Sequence, residues 1–204
     1  MRSGVAVQRV GTGASGRPDW PSLHLVANGE AAKPNWFVAQ CDRLFTVTSL
    51  VATAPLLDIR AFDWTSMLRR RWLDIGEEAR GVTANRQVCA EADPCTAAIV
   101  GAIPDMLSAS FERVEPGVQG SRRPRAGRAV LTCQLGLDIP REGDLRMRVG
   151  GRMARWAEGE TLVFDETQAD AIWNDGARAG VVLTVRVKRP LRQPGRWLAD
   201  RLLR

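Results

Sequence analysis

Seven short strand-like runs, parted by turn residues at close intervals, fill the second half of this chain. They are Ser110–Val114, Ala129–Ile139, Leu145–Val149, Arg152–Trp156, Thr161–Asp165, Ala169–Trp173 and Val181–Val187. Between them stand Pro116-Gly117, Pro124, Ala126-Gly127, Gly143-Asp144, Gly150-Gly151, Glu158-Gly159 and Asn174-Asp175-Gly176, residues that supply the fixed or positive φ of tight turns. Strands at this spacing predict a β sandwich or a jelly-roll barrel.

The helical signals flank the β runs. Over 62–81, Trp64, Met67, Leu68, Trp72 and Ile75 recur at three- and four-residue spacing, Asp63 or Thr65 can cap, and Gly81 stops the run. Asp93-Pro94 opens a second helix over Cys95–Ala102, which Pro104 ends. Residues 191–204 read as a basic amphipathic C-terminal helix, with Trp197, Leu198, Leu202 and Leu203 on one side, packed on the barrel. Residues 1–34 are rich in Gly, Ser, Asn and Pro and read as an irregular lead-in. The formal dinucleotide fingerprint there, Gly11-Thr-Gly13-Ala-Ser-Gly16, runs straight into Pro18 and Pro21, so no helix N-terminus can face a pyrophosphate and the match is read as chance.

Composition removes whole classes of chemistry. The single imidazole, His24, excludes any site that needs two: His-rich zinc centres and two-His iron centres alike. Cys41, Cys89, Cys95 and Cys133 form no C-x-x-C pair and read as reduced, mostly buried apolar residues, with no structural metal. The N-terminus lacks the apolar run of a signal peptide, and the apolar stretch Leu44–Ile59 is broken by Thr46, Thr48, Ser49, Thr53 and Pro55. A cytoplasmic protein with no membrane partner is expected. The net charge of +6 gathers in 121–155 and 191–204. No nucleic-acid module organises it, so nucleic acid is not expected, and the Arg-rich 121–128 loop is left as a solvated stretch or a place for a protein partner.

In order and spacing, the segments Ser110-Phe-Glu-Arg-Val-Glu-Pro-Gly117, Leu135-Gly-Leu-Asp-Ile-Pro140, Arg148-Val-Gly-Gly151, Trp156-Ala-Glu-Gly-Glu-Thr-Leu-Val-Phe-Asp-Glu-Thr167, Trp173-Asn174 and Arg189-Pro190 resemble the aspartyl/asparaginyl β-hydroxylase family. That resemblance implies a mainly β domain over 35–190 with flanking helices: a double-stranded β-helix, cupin-like, of the kind that uses Fe(II) and 2-oxoglutarate. The family's iron and co-substrate positions, carried onto this chain, are replaced. Arg123 and Asp170 stand at the two histidine positions, Thr132-Cys133-Gln134 at an Arg-x-His, and Gly180 at a further Arg.

A guanidinium offers no lone pair to a metal, and one carboxylate alone is a poor iron site. The expectation is therefore a chain without iron, 2-oxoglutarate or other cofactor. Arg123 and Asp170 would form either a structural ion pair or a catalytic pair. Gln134, Thr132, Cys133, Trp173 and Trp156 would line a pocket for a small or carrier-bound substrate. The competing reading is a non-catalytic pseudo-oxygenase that binds a protein partner.

Overall fold

The run Val130–Asp138 reads Val-Leu-Thr-Cys-Gln-Leu-Gly-Leu-Asp, and all but its last residue are buried. A strand buried on both faces belongs in the middle of a sheet covered on both sides. In the computed structural model, which describes residues 36–121 and 127–203, it occupies that place.

The strands in chain order are β1 (Leu56–Leu57), β2 (Arg86–Gln87), β3 (Met106–Val114), β4 (Gln119–Ser121), β5 (Val130–Asp138), β6 (Leu145–Val149), β7 (Arg152–Arg155), β8 (Thr161–Phe164), β9 (Ala169–Asn174) and β10 (Gly180–Lys188). They form two sheets, ordered β1-β8-β5-β10-β3-β2 and β4-β9-β6-β7, with every named pairing antiparallel. From β3 to β10 the chain passes back and forth between the two sheets, with β6 and β7 as a hairpin within the smaller one, which is the jelly-roll winding of a double-stranded β-helix. The fold is mainly β with flanking helices, as the spacing of the runs and the family resemblance both imply.

The two-residue period sorts β5 into two faces. Leu131, Cys133, Leu135 and Leu137 point to the helical layer and share a core with Phe62, Leu68, Ile75, Ile99 and Val100. Phe111, Leu131, Leu135, Leu183, Leu68 and Ile75 are fully buried there, each worth about 1.5–3 kcal/mol of transfer free energy. Between the sheets lies a second core of Val114, Leu145, Met147, Val149, Trp156, Phe164 and Val182.

The helices are α1 (Trp36–Thr48), α2 (Thr65–Arg70), α3 (Trp72–Glu78), α4 (Pro94–Gly101) and α5 (Gly195–Leu202). The single helix expected over 62–81 is two, because Arg71 leaves the helical region (φ −107, ψ 14) while its N–H bonds the carbonyls of both Met67 and Leu68. The break seats Trp72 against Gly159, where a Cβ would crowd the indole. α4 begins at Pro94, one residue before the expected start. Its first amides are capped from another helix, since Cys95 N–H and Thr96 N–H donate to the Glu78 carboxylate at 2.8 and 2.7 Å. Burial pushes the Glu78 carboxyl up, but these donated bonds outweigh it and hold its pKa below the ordinary value.

α1 was not anticipated. It buries Cys41, Phe45 and Thr48, and shares a third small core with Leu191 and with Ala199 of α5. The two helices meet closely because Gly195 has no side chain: a Cβ there would overlap Thr48 Oγ1. α5 is shorter than the amphipathic run read from sequence, and it belongs to the same compact unit, Asn35–Arg204, as the barrel.

Among the described residues one ion pair is wholly buried. Arg189 Nη2 donates to Asp165 Oδ2 at 2.8 Å, and the same guanidinium donates to the carbonyls of Arg128 (2.7 Å) and Ala52 (3.4 Å). Among the described residues no helix is long and apolar enough to cross a membrane. His24, the Gly11–Gly16 motif, Arg123 and the side chain of Asp170 lie outside the described residues.

Candidate functional site in the barrel interior

Thr132 and Gln134 face the second sheet, and their neighbours on that face are polar as well. Gln134 pairs in register with Thr184 of β10, and Arg186 pairs with both Thr132 and Ser108. Glu112 of β3 lies on the same face, as its bond to Gln134 shows, and Glu166 enters from the short turn after β8. Together they divide the barrel interior into an apolar half around Met147 and Phe164 and a polar half around Arg186.

The polar half is one connected network. Arg186 donates through Nε to Glu166 Oε2 at 3.1 Å and through Nη2 to Glu166 Oε1 at 3.3 Å, and its guanidinium stands 3.6 Å from Glu112 Oε1. Thr132 Oγ1 donates to Glu166 Oε2 at 3.1 Å. Gln134 Nε2 donates to Thr184 Oγ1 (3.0 Å) and Glu112 Oε2 (3.4 Å), while its carbonyl accepts from Trp156 Nε1–H at 3.2 Å. Burial works against the charge on Arg186, yet the bond and field of Glu166, with that of Glu112, outweigh it and raise its pKa. A bidentate guanidinium–carboxylate pair of this kind fixes direction as well as charge.

Of the residues singled out from sequence, the structure brings Thr132, Gln134 and Trp156 together in this network. It does not bring Cys133 there. Cys133 alternates to the opposite face of β5, into the helical core, where burial alone pushes its thiol up to about 12, so it is an inert apolar filler. Trp173 is also elsewhere. It pairs with Arg146 on the outer face of the smaller sheet, and the guanidinium carbons of Arg146 and Arg148 lie 5.5 and 5.6 Å from its ring centre, a cation–π stack facing away from the barrel.

The cause is a β-bulge: β6 pairs Arg148 with Ala171 and Val149 with Ala169, stepping over Asp170. The Arg-rich loop departs from Ser121, whose partner is Ala171, one residue from Asp170. The cysteines also differ from expectation, with Cys41 and Cys133 buried, Cys95 half-buried and Cys89 exposed.

Sequence reasoning missed Glu112, Glu166, Thr184 and Arg186. The available signal was a charge inside a run too apolar to carry one: β10 reads Gly-Val-Val-Leu-Thr-Val-Arg-Val-Lys, with Val182, Thr184 and Arg186 on one face.

A ferrous oxygenase site needs imidazole and carboxylate donors around an open coordination position. The interior carboxylates here are gathered on a guanidinium, the chain's one imidazole is His24, and no three His, Cys, Asp or Glu side chains among the described residues are grouped to hold a metal ion. Thr132 and Gln134 offer a hydroxyl and an amide, and the cation beside them, Arg186, is already bound by Glu166 and Glu112, so no free cation among the described wall residues meets a 2-oxoglutarate carboxylate. These residues fit neither iron nor 2-oxoglutarate.

The winding and the two-faced interior define a cupin-like double-stranded β-helix. The chain belongs to the aspartyl/asparaginyl β-hydroxylase family, whose model matches residues 4–190. An ornithine lipid ester-linked acyl 2-hydroxylase from Rhizobium tropici is 34% identical over 131 residues, which are 63% of this chain and 45% of that protein. The chain therefore spans less than half the length of that relative. Solved structures similar in outline include a cupin 2 conserved barrel protein from Salinispora arenicola (11% identity, TM-score 0.33, 58% of this chain and 80% of that one). The cupin 2 domain of a transcriptional regulator from Enterobacter cloacae is another (15%, TM-score 0.34, 39% and 79%).

Proposed function

We propose that this chain is a repurposed, metal-independent member of its family. It would act on a small or carrier-tethered amino-acid-like substrate by acid–base chemistry (cyclisation, elimination or isomerisation) without iron or 2-oxoglutarate. The observation that carries this reading is the Glu166–Arg186–Glu112 cluster on the interior face of the larger sheet. A buried ion cluster adds little net stability, because desolvation offsets the attraction. Its position on the interior face of the larger sheet supports a role in binding. In this reading Asp170 exchanges the proton and Arg123 holds an anionic or carbonyl group, with Thr132, Gln134 and Trp156 as the wall. The bulge at Asp170 supports this reading, since bulges are common at barrel rims and beside active sites.

Anaerobic calorimetry with Fe(II) and 2-oxoglutarate tests the metal-free claim. No heat from either is expected, and stoichiometric iron with a 2-oxoglutarate-dependent heat would overturn it. Asp170→Asn is expected to abolish turnover without unfolding the protein.

One observation favours the second reading, a non-catalytic pseudo-oxygenase that engages a protein partner through the 121–128 loop. The Gln134 side chain spends both its amide and its carbonyl on neighbours, which closes that stretch of wall. Under that reading Asp170→Asn is silent and charge reversal at Arg122 and Arg125 is not.

A further inference from the structure

Large apolar side chains are exposed unevenly over the molecule. Of the eight that stand out among the described residues, only Leu73 and Met153 lie away from the layer formed by α1, α5 and the residues that join them to the barrel. Trp36, Val47, Leu50 and Trp197 are 71%, 79%, 53% and 64% exposed. Trp36, Gln40, Arg43 and Val47 recur at four-, three- and four-residue intervals, which sets them in one row on the side of α1 opposite Cys41 and Phe45.

The start of α5 lies beside the end of that row. Arg192 N–H donates to Thr48 O at 2.8 Å, Leu50 N–H to Pro190 O at 2.9 Å, and Gly195 abuts Thr48. The exposed residues contributed from this side are Arg192, Gln193, Pro194, Arg196, Trp197 and Arg201.

The charge on this outer face is mainly positive. Arg43, Arg192, Arg196 and Arg201 are exposed on it. Of the two acids of these helices, Asp42 accepts from Arg128 N–H at 3.1 Å, and Asp200, 43% exposed, is neutralised by Lys188 Nζ at 2.8 Å. Two short helices thus lie with apolar faces packed inward and an outer face of tryptophan, aliphatic side chains and arginine.

We propose that this face docks on the surface of an anionic lipid bilayer. Indole rings settle where headgroups meet acyl chains, since one end of the ring is apolar and the other a donor. Arginines beside them meet lipid phosphates, and helices lying in the interface plane are held by that combination. A protein partner would need complementary carboxylates and a pocket for each indole; a bilayer needs neither, and a row open along its length suits a fluid surface. Neither helix spans the membrane: α1 has 13 residues and α5 eight. The contact is superficial and independent of any chemistry in the barrel.

The test is co-sedimentation of the full chain with phosphatidylcholine vesicles, with and without phosphatidylglycerol, at low and high salt. Binding is expected to phosphatidylglycerol vesicles at low salt, with loss at high salt and little binding to phosphatidylcholine alone. Trp36→Ala/Trp197→Ala and Arg196→Glu/Arg201→Glu should each weaken binding at least about tenfold, while Leu73→Ala on α3, outside this layer, leaves it unchanged. Circular dichroism of each variant confirms that it folds. Absence of binding to the wild-type chain would overturn the proposal, as would binding that the Trp36→Ala/Trp197→Ala variant retains. So would a concentration-dependent dimer, abolished by that variant, on a chain that ignores vesicles.

Discussion

Replacing Arg186 by Met keeps the length and apolar stem of the side chain and removes one guanidinium from the centre of the barrel. The Glu166 side chain is fully buried and that of Arg186 only 15% exposed, so solvent does little to replace the lost bonds. Breaking a buried pair from one side costs about 3–5 kcal/mol, because the buried carboxylate loses the two bonds of this guanidinium. The partial exposure of Arg186 and Glu112 places this case at the lower end, about 3 kcal/mol. With a urea m-value of about 2 kcal/mol/M, the unfolding midpoint should fall by about 1.5 M. The stronger test is the cycle with Glu166→Gln. Each single variant separates Arg186 from Glu166, whereas the double variant loses that pair only once, so its loss should fall short of the sum by at least about 1.5 kcal/mol. Additivity within about 0.5 kcal/mol would refute the reasoning, and so would an Arg186→Met variant as stable as wild type.

Three further outcomes can be checked. The two bonds from Arg86 (2.6 and 2.7 Å) hold the Asp93 carboxyl below its ordinary 3.8, so this pair adds stability that is present above that value and lost as pH falls through the lower, folded one; urea midpoints between about pH 5 and pH 2 should therefore fall more steeply for wild type than for Arg86→Met, and parallel curves would contradict this. Gly195→Ala forces a methyl into Thr48 and should cost about 1–3 kcal/mol, part of it recovered by adding Thr48→Ala, as thermal melts would show. A thiol reagent on the native protein should modify Cys89 first and reach Cys41 and Cys133 only on unfolding; early modification of Cys133 would contradict its place in the helical core.

The β domain was legible because its signals are local. Turn residues and a two-residue period mark each strand, and β6 was read with both ends correct. α1 was not legible. Its sequence, Trp-Phe-Val-Ala-Gln-Cys-Asp-Arg-Leu-Phe-Thr-Val-Thr, has no acidic residue in its first turn and carries β-branched residues that weaken a helical reading, so α5 and Leu191 supply what propensity does not.

Facing was legible only where the period runs unbroken. Alternation along Thr132-Cys133-Gln134 separates Cys133 from its neighbours, and that reading was open to the sequence. Counting by twos from Ala169 puts Trp173 inside, whereas the bulge at Asp170 shifts the count, so that Ile172 packs on the inner core and Trp173 turns outward. A bulge leaves no mark in composition. The Glu166–Arg186–Glu112 cluster was hidden for a related reason: its members lie 54 and 20 residues apart in the chain, and only the pairing of β3 with β10 and the turn after β8 make them neighbours.

The Arg189 side chain joins segments that the chain keeps far apart, 24 residues to Asp165, 61 to Arg128 and 137 to Ala52. Loops of that length close late, because the entropy of closing them is recovered only when the sheets are already in place. The lock is then absent from the transition state and present in the native state, so it governs how fast the protein leaves the folded state rather than how fast it arrives. Arg189→Met should accelerate unfolding while leaving the refolding limb of a chevron nearly unmoved. Its contribution is to the lifetime of the native protein.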